Sequence, residues 1–472
     1  MKKILLKNKD YITVLFVVLI FLGFYFLISV VPHINYSTNA FDLGIFNQTL
    51  FQYSNFELGP NTVRSVETLL ADHLELIMFV FTPFYWIFGS FALLFLQIFF
   101  VLFGGVGVYL LVKKESCEKK LALLSLILFY VFFGTITALG FDYHNNVVGT
   151  MFIPWLFYFF SLRKFRYYYL FLFLFLITKE NMALISAFLG FSILIFEDKK
   201  YKFHGFITLI VSVVYFLMSL KIISYLAGGD YQHWPYTELG EGPAEALKYV
   251  FFHPIETIKL LFNHAVKLKM WVLILASGGI FAIFKPKYFL LIVPVIAQKF
   301  FSYEEAFWGY TFHYSVELAP PIIIGAVIFI ASLKNKLYRK GLCTLLVLMN
   351  LAIFLNIKFY NGESIFRVFQ AEYYITSYEK TELKYAISLT ENASSVSAQN
   401  TIVPHLKNKE IYLFPEKKES DYIILNLNDD NYWPIESIEE LNAEIELLIL
   451  DDQYSTVYDS GGIYVFKSNS VL

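Results

Sequence analysis

Apolar stretches long enough to cross a bilayer recur along this chain, and short basic clusters separate them. The clusters are Lys113-Lys114 with Lys119-Lys120, Arg163-Lys164-Arg166, Lys199-Lys200-Lys202, Lys285-Lys287, and Lys334-Lys336-Arg339-Lys340. Lys2, Lys3, Lys7 and Lys9 give the chain a basic start. A run of about 20 apolar residues spans the hydrocarbon core. Inside that core every backbone N–H and C=O must be satisfied internally, which leaves helices or closed barrels. The runs here are continuous and do not alternate, so a barrel is excluded. With 57% hydrophobic and only 16% charged residues, a set of soluble domains is excluded as well. The fold class is a polytopic α-helical membrane protein.

Short cytoplasmic loops retain Lys and Arg, and this asymmetry orients the chain. One frame places every basic cluster on the inner side. It has eleven spans, at about 11–31, 90–112, 121–139, 147–162, 167–178, 182–196, 203–226, 270–284, 288–301, 315–333 and 341–357. The N-terminus is then cytoplasmic and the C-terminus outside, in the cell (plasma) membrane. The first span is too long for a signal-peptide core and lacks a small-residue cleavage site. Cys117 and Cys343 fall near the inner side, where thiols stay reduced. The basic clusters are topology signals, so no nucleic-acid partner is expected.

Residues 1–360 form the bundle. Residues 32–72 make a long first outer loop, and the aromatic segment 73–89, interrupted by Pro83, reads as a helix at the outer interface. Residues 361–472 are more charged and read as a small extracytoplasmic α/β domain. Strands are expected at 395–398, 411–414 and 422–427, and helices at 379–389 and 435–448. A hairpin of 455–459 with 463–467 turns at Ser460-Gly461-Gly462.

The frame sorts the polar residues left over onto one face. Asp42 lies shortly after the first span, where a carboxylate can act as a general base toward an acceptor; it equally suits a helix cap. Asp72-His73 opens the expected interfacial helix, as a proton relay or as another cap. Asp142, His144 and two Asn share a tight turn, which ordinary turn chemistry explains for Asp and Asn. Lys179-Glu180 sits between apolar runs, either facing a cavity or neutralising each other. Lys299, His313 and Glu317 lie in a belt of aromatics, with His313 and Glu317 one helical turn apart. Few ionisable groups fall mid-span, which fits chemistry at the outer boundary better than transport.

The runs FDLGIFNQTLF, ADHLELIMFVFTPFYWIFGS, FDYHNN, ITKENMALI and FHYSVELAP, with the C-terminal SVSAQNTIVPHLKNKEIYLFPEKKESDYIILNL, resemble a family of predicted membrane proteins, domain of unknown function 2079. That family in turn resembles the type-C glycosyltransferases, which move a sugar from a polyprenyl-phosphate carrier to an acceptor outside the cytoplasm. The resemblance implies that Asp42 is the catalytic carboxylate and that Asp72, His73, Asp142, His144, Glu180 and His313 line the cavity. Arg64, Lys179, Lys299 and His313 are then candidates for the carrier phosphate. Many type-C enzymes carry a second acidic residue beside the first, whereas Asp42 is followed by Leu43. A divalent cation (Mg or Mn) would therefore draw a further ligand from Asp72 or Asp142.

The expected function is glycosyl transfer from a polyprenyl-phosphate-linked sugar to a glycan, lipid or protein acceptor. The alternative is a non-enzymatic transporter or lipid-handling protein, whose mark would be mid-membrane polar residues or glycine-broken helices, hinted at by Gly104-Gly105 with Gly107 and by Gly278-Gly279, both of which equally suit close helix–helix packing.

Overall fold

A computed structural model describes residues 2–229, 231, 233–416 and 419–470, with side chains from residue 10 onward. The side chains of Lys2, Lys3, Lys7 and Lys9 lie outside the described residues. The chain is mostly helical, with one small sheet near the C-terminus. Among the described residues, six helical stretches are long and apolar enough to cross a membrane: Asp10–Ile34, Ile77–Ser116, Lys199–Leu226, Ala265–Ala282, Glu305–Ser332 and Lys336–Leu355. Lys119–Tyr130 and Phe133–Leu139, bent by 45°, make a seventh if taken together.

Other apolar runs that the sequence reads as spans are shorter helices. Ile153–Ser161, Phe165–Leu176, Met182–Phe196 and Ile292–Phe300 have 9, 12, 15 and 9 residues. At 1.5 Å per residue the longest reaches about 22 Å, short of the roughly 30 Å hydrocarbon core. The segment read as an interfacial helix is the helix Ile77–Phe88, with Pro83 inside it.

The described chain forms two compact units. The first comprises Met1–Tyr25, His73–Ile77 and Gln97–Ile365; the second comprises Phe26–Asp72, Met78–Leu96 and Phe366–Leu472.

In the first unit the helices pack through small residues. A Cβ on Gly105 would lie 2.1 Å from the Tyr130 ring, and one on Gly104 2.6 Å from Met151 Sδ. Such positions let backbones approach closely where apolar burial cannot drive association in lipid. Ion pairs tie the basic clusters together at the helix ends. Glu197 binds both Arg163 (2.8 Å) and Lys287 (2.6 Å). Glu118 binds Arg339 (2.5 Å), and Asp10 binds Lys119 (2.5 Å).

The second unit holds the sheet. We label its strands β1 (Ser395–Ala398), β2 (Glu410–Leu413), β3 (Tyr422–Asn426), β4 (Tyr454–Ser460) and β5 (Ile463–Ser468). Their order is β2-β1-β3-β5-β4, with β1 parallel to β2 and β3, and β5 antiparallel to both β3 and β4. The helix Ile438–Leu450 covers the sheet, burying Leu441, Ile445 and Leu448 against Ile423, Leu425 and Phe466. Ser437 caps it by accepting from the Glu440 N–H at 3.2 Å. The β4–β5 turn uses Gly461 (φ +59°) and Gly462 (φ +80°), as a two-residue hairpin turn of matching twist demands.

The first loop belongs to this second unit. After the span, residues Ala40–Gly44 form a wide helical turn that leads into the helix Ile45–Ser54. A Cβ on Gly44 would lie 2.7 Å from Val403 Cγ1, so glycine permits this turn to seat on the C-terminal segment. Amide side chains hold the loop. Asn400 accepts from the Ala40 N–H (2.9 Å) and donates to Asn39 Oδ1 (3.0 Å), to which Asn431 also donates (2.9 Å). Asn47 donates to the Ser90 and Pro404 carbonyls, and Gln48 and Gln52 to the Lys409 carbonyl.

Candidate functional site

In the first unit the polar residues that cannot face lipid collect in loops at one end of the helices. The Lys179-Glu180 loop joins the helices Phe165–Leu176 and Met182–Phe196. Residues 140–146 follow Phe133–Leu139, and the turn His313–Leu318 precedes Ala319–Ser332. The central turns of these helices carry no Asp, Glu, Lys, Arg or His. An ionised group there would need a partner or a watery cavity.

Two clusters result. In the first, Glu180 is almost fully buried and receives three donors. His73 Nδ1 lies 2.8 Å from Oε1, the Leu74 N–H donates to Oε2 (3.2 Å), and the Tyr231 hydroxyl donates to Oε1 (3.4 Å). The His73 ring stacks on His233 with centroids 4.2 Å apart. Lys179 lies 3.6 Å from Glu75, itself 1% exposed. Burial alone raises the Glu180 carboxyl, but His73 and Lys179 outweigh it and hold it down to about 2. Burial and the Lys179 charge keep the His73 imidazole below its ordinary value. Glu180 is therefore a carboxylate that fixes its neighbour: by accepting Nδ1–H it leaves Nε2 of His73 as the basic nitrogen.

In the second cluster the His144 and His313 rings stack with centroids 3.4 Å apart, between Phe141 and Tyr314. Gln97 positions this loop, accepting from the His144 N–H (2.9 Å) and donating to the Asp142 carbonyl (2.7 Å). Asp142 occupies the left-handed region at φ +43°, which Asp tolerates better than most residues. Glu317, at 0% exposure, takes Asn146 (2.9 Å) and Lys299 (3.4 Å) on one oxygen. Its second oxygen has no hydrogen-bond partner among the described residues. The Lys299 ammonium sits 4.8 Å above the Tyr314 ring. Lys179 is within electrostatic range of both Lys299 and His313.

The structure thus brings together His73, Lys179 and Glu180, and with them His144, Lys299 and His313. Asp42, Arg64 and Asp72 belong to the second unit. There Asp72 pairs with Arg64 at 3.2 Å, and the capping reading fails for it: Asp72 ends its short helix rather than starting one. Asp42 lies within the turn Ala40–Gly44, and Gly44 holds the N-cap position of Ile45–Ser54. Asp42 is half-buried, beside Phe41, whose ring meets Trp433 edge-on at 5.6 Å.

Sequence reasoning overlooked Glu75, Gln97, Tyr231 and His233. Glu75 carried a usable signal, an acidic residue inside an apolar run. Tyr231 and His233 lie some fifty residues beyond Glu180 in a polar loop, and nothing local marks them.

These features define a polytopic helical membrane protein with buried ionisable groups gathered in and beside loops at helix ends. The chain belongs to the family described as predicted membrane protein, domain of unknown function 2079 (DUF2079), whose family model matches residues 33–465. Among curated proteins, none matches this chain.

Proposed function

We propose that this protein is a membrane glycosyltransferase. In this reading it moves a sugar from a polyprenyl-phosphate carrier to an acceptor on the extracytoplasmic side of the cell membrane. The bundle then takes the eleven-span frame of a type-C enzyme, with its N-terminus cytoplasmic and the sheet outside. The observation that carries the reading is the gathering of Lys179, Lys299 and four histidines with three buried carboxylates in loops, away from the helix centres. Transport through the bundle asks for ionisable groups near the midplane instead.

In the reaction Asp42 accepts the proton of the acceptor hydroxyl or amine as that atom bonds to the sugar's anomeric carbon. The carbon–oxygen bond to the carrier phosphate breaks, and the phosphate leaves with the electron pair. The departing phosphate needs charge-assisted hydrogen bonds, for which Lys179, Lys299 and Arg64 are the candidates. His73, oriented by Glu180, provides a second proton-handling group. As a ligand for a divalent cation, Asp72 would have to share its carboxylate with Arg64.

The test is transfer from a lipid-linked sugar by the purified Asp42→Asn protein in liposomes. We expect transfer to be abolished while insertion and melting temperature stay unchanged. Undiminished transfer would remove Asp42 from its role.

One observation bears on the transporter alternative. The candidate span Ala265–Ala282 is broken at Gly278 (φ +127°). Asn350 donates to the freed Ser277 carbonyl at 3.2 Å, and Ala326, Leu346 and Ile322 close around Gly278. The break is packed shut, which favours a structural kink over a substrate path.

A further inference from the structure

A cavity in the second unit is enclosed very differently from the ion-paired site of the first. Its volume is about 440 Å³. Lys380 and Lys384, one turn apart on the helix Lys380–Ser388, line one wall, and Lys407 lines another. Glu391 is the single carboxylate of the lining. Lys380 donates to Asn35 Oδ1 at 2.5 Å. Lys384 and Lys407 are exposed and, among the described residues, make no ion pair. Three ammonium groups against one carboxylate give the cavity a positive potential that its low-dielectric walls concentrate.

Two stacked histidines lie against the same space, with centroids 4.0 Å apart and rings 10° from parallel. His33 has both nitrogens engaged, by Thr38 (2.8 Å) and Ser90 (3.0 Å). His405 does not: its buried Nε2 has no partner among the described residues. Burial, with His33 adding to it, holds the His405 imidazole well below its ordinary value, so the ring is neutral at physiological pH. The hydroxyls of Thr381 and Ser388 complete the polar lining. Ile34, the last residue of the candidate span Asp10–Ile34, and Phe91 form an apolar wall.

We infer that this cavity is a binding site for a phosphate group, carried on a small soluble ligand or on the head of an amphiphile whose apolar part lies along Ile34 and Phe91. Phosphate fits better than a carboxylate, because its doubly charged group offers three strong acceptor oxygens to lysines converging from two segments. The site stands on the second unit alone and does not depend on the transfer reaction proposed above.

Binding to the full-length protein is the test, with two probes that separate the sources. Inorganic phosphate and pyrophosphate are titrated calorimetrically into detergent-purified protein. Nanodiscs of phosphatidylcholine, with and without phosphatidic acid, report lipid capture by native mass spectrometry. Saturable binding of the inorganic anions identifies a soluble ligand class, and selective retention of phosphatidic acid identifies a lipid head. The double variant Lys384→Glu/Lys407→Glu should weaken whichever binding is seen by about tenfold or more, equivalent to about 1.4 kcal/mol. Lys384→Arg/Lys407→Arg should retain it, and both variants should melt like the parent because these lysines are exposed. Failure of both probes to bind, or equal binding by the Glu variant, would overturn the inference.

Discussion

The two units differ in the polar groups they bury. The first unit buries carboxylates that pair with cations, Glu317 with Lys299, Glu180 with His73 and Glu75 with Lys179, beside amides such as Gln97 and Asn146. The second buries neutral amides: Asn39, Asn47, Gln48, Gln52, Asn61 and Asn400. An amide costs far less to desolvate than an ion and fixes a loop through directional bonds. A buried ion pair stabilises little beyond what its desolvation costs, so it is a poor device for stability alone. Amides hold the long loop in place, whereas in the proposed reading the paired ions of the first unit serve chemistry.

The sharpest way to break this contrast is to remove one ion of a pair. Lys299→Met removes the cationic partner of Glu317, which sits at 0% exposure, and should cost about 3–5 kcal/mol. Denaturant unfolding in detergent measures it, and the double variant Lys299→Met/Glu317→Gln should recover most of the loss. A double variant as unstable as the single one would show that packing, and not charge, holds this site.

On the amide side, Asn400→Leu strands the Ala40 N–H and removes a donor from Asn39. The expected cost is about 1–3 kcal/mol, with hydrogen exchange rising in residues 39–44. A rise spread evenly over the chain would count against a local tether.

The units should also respond to pH with opposite signs. Glu180, held down to about 2 from 4.5, contributes stability that is present above pH 4.5 and is lost as pH falls toward 2. In the second unit Asp429 is pushed up to about 6, chiefly by burial, against bonds from Thr401 and the Asn431 N–H. Its contribution is complete below about pH 4 and is lost as pH rises through 6. Asp429→Asn should therefore stabilise the sheet at pH 7, by about 1–2 kcal/mol. Hydrogen exchange of β3 and β5 across pH 4–8, compared with parent protein, measures this; an identical pH profile would place the titration elsewhere.

The smallest expected effect is Gly462→Ala. It forces a side chain onto φ +80° and 2.8 Å from Asn428 Nδ2, costing about 1 kcal/mol or somewhat more. Loosening should stay within the β4–β5 hairpin.

Legibility followed how local each signal is. Period-two apolar runs and the Gly461-Gly462 turn place the strands and hairpin of the sheet within a residue or two of their observed ends. Helix existence was equally readable from apolar runs, but span length was not. The expected span 167–178 has the length of the helix Phe165–Leu176, but Ile292–Phe300 is shorter than the expected 288–301, because a turn at Leu290-Leu291, with no Pro or Gly to announce it, separates it from Pro286–Phe289. Within the candidate site, His73, Lys179, Glu180, His144 and His313 were legible as polar residues stranded beside apolar runs. Their pairing was not legible, since His73 meets Glu180 across 107 positions and Asn146 meets Glu317 across 171.

By itself, the sequence determined that the chain is a helical membrane protein, where its polar residues concentrate, and that a small sheet closes the C-terminus. These follow from hydropathy and turn chemistry, which act over a few residues. Only the tertiary structure decided that the first loop joins the C-terminal sheet in one unit, that Glu180 orients His73, and that three lysines converge on one cavity. Those outcomes rest on which distant surfaces pack together, and no local pattern encodes that choice.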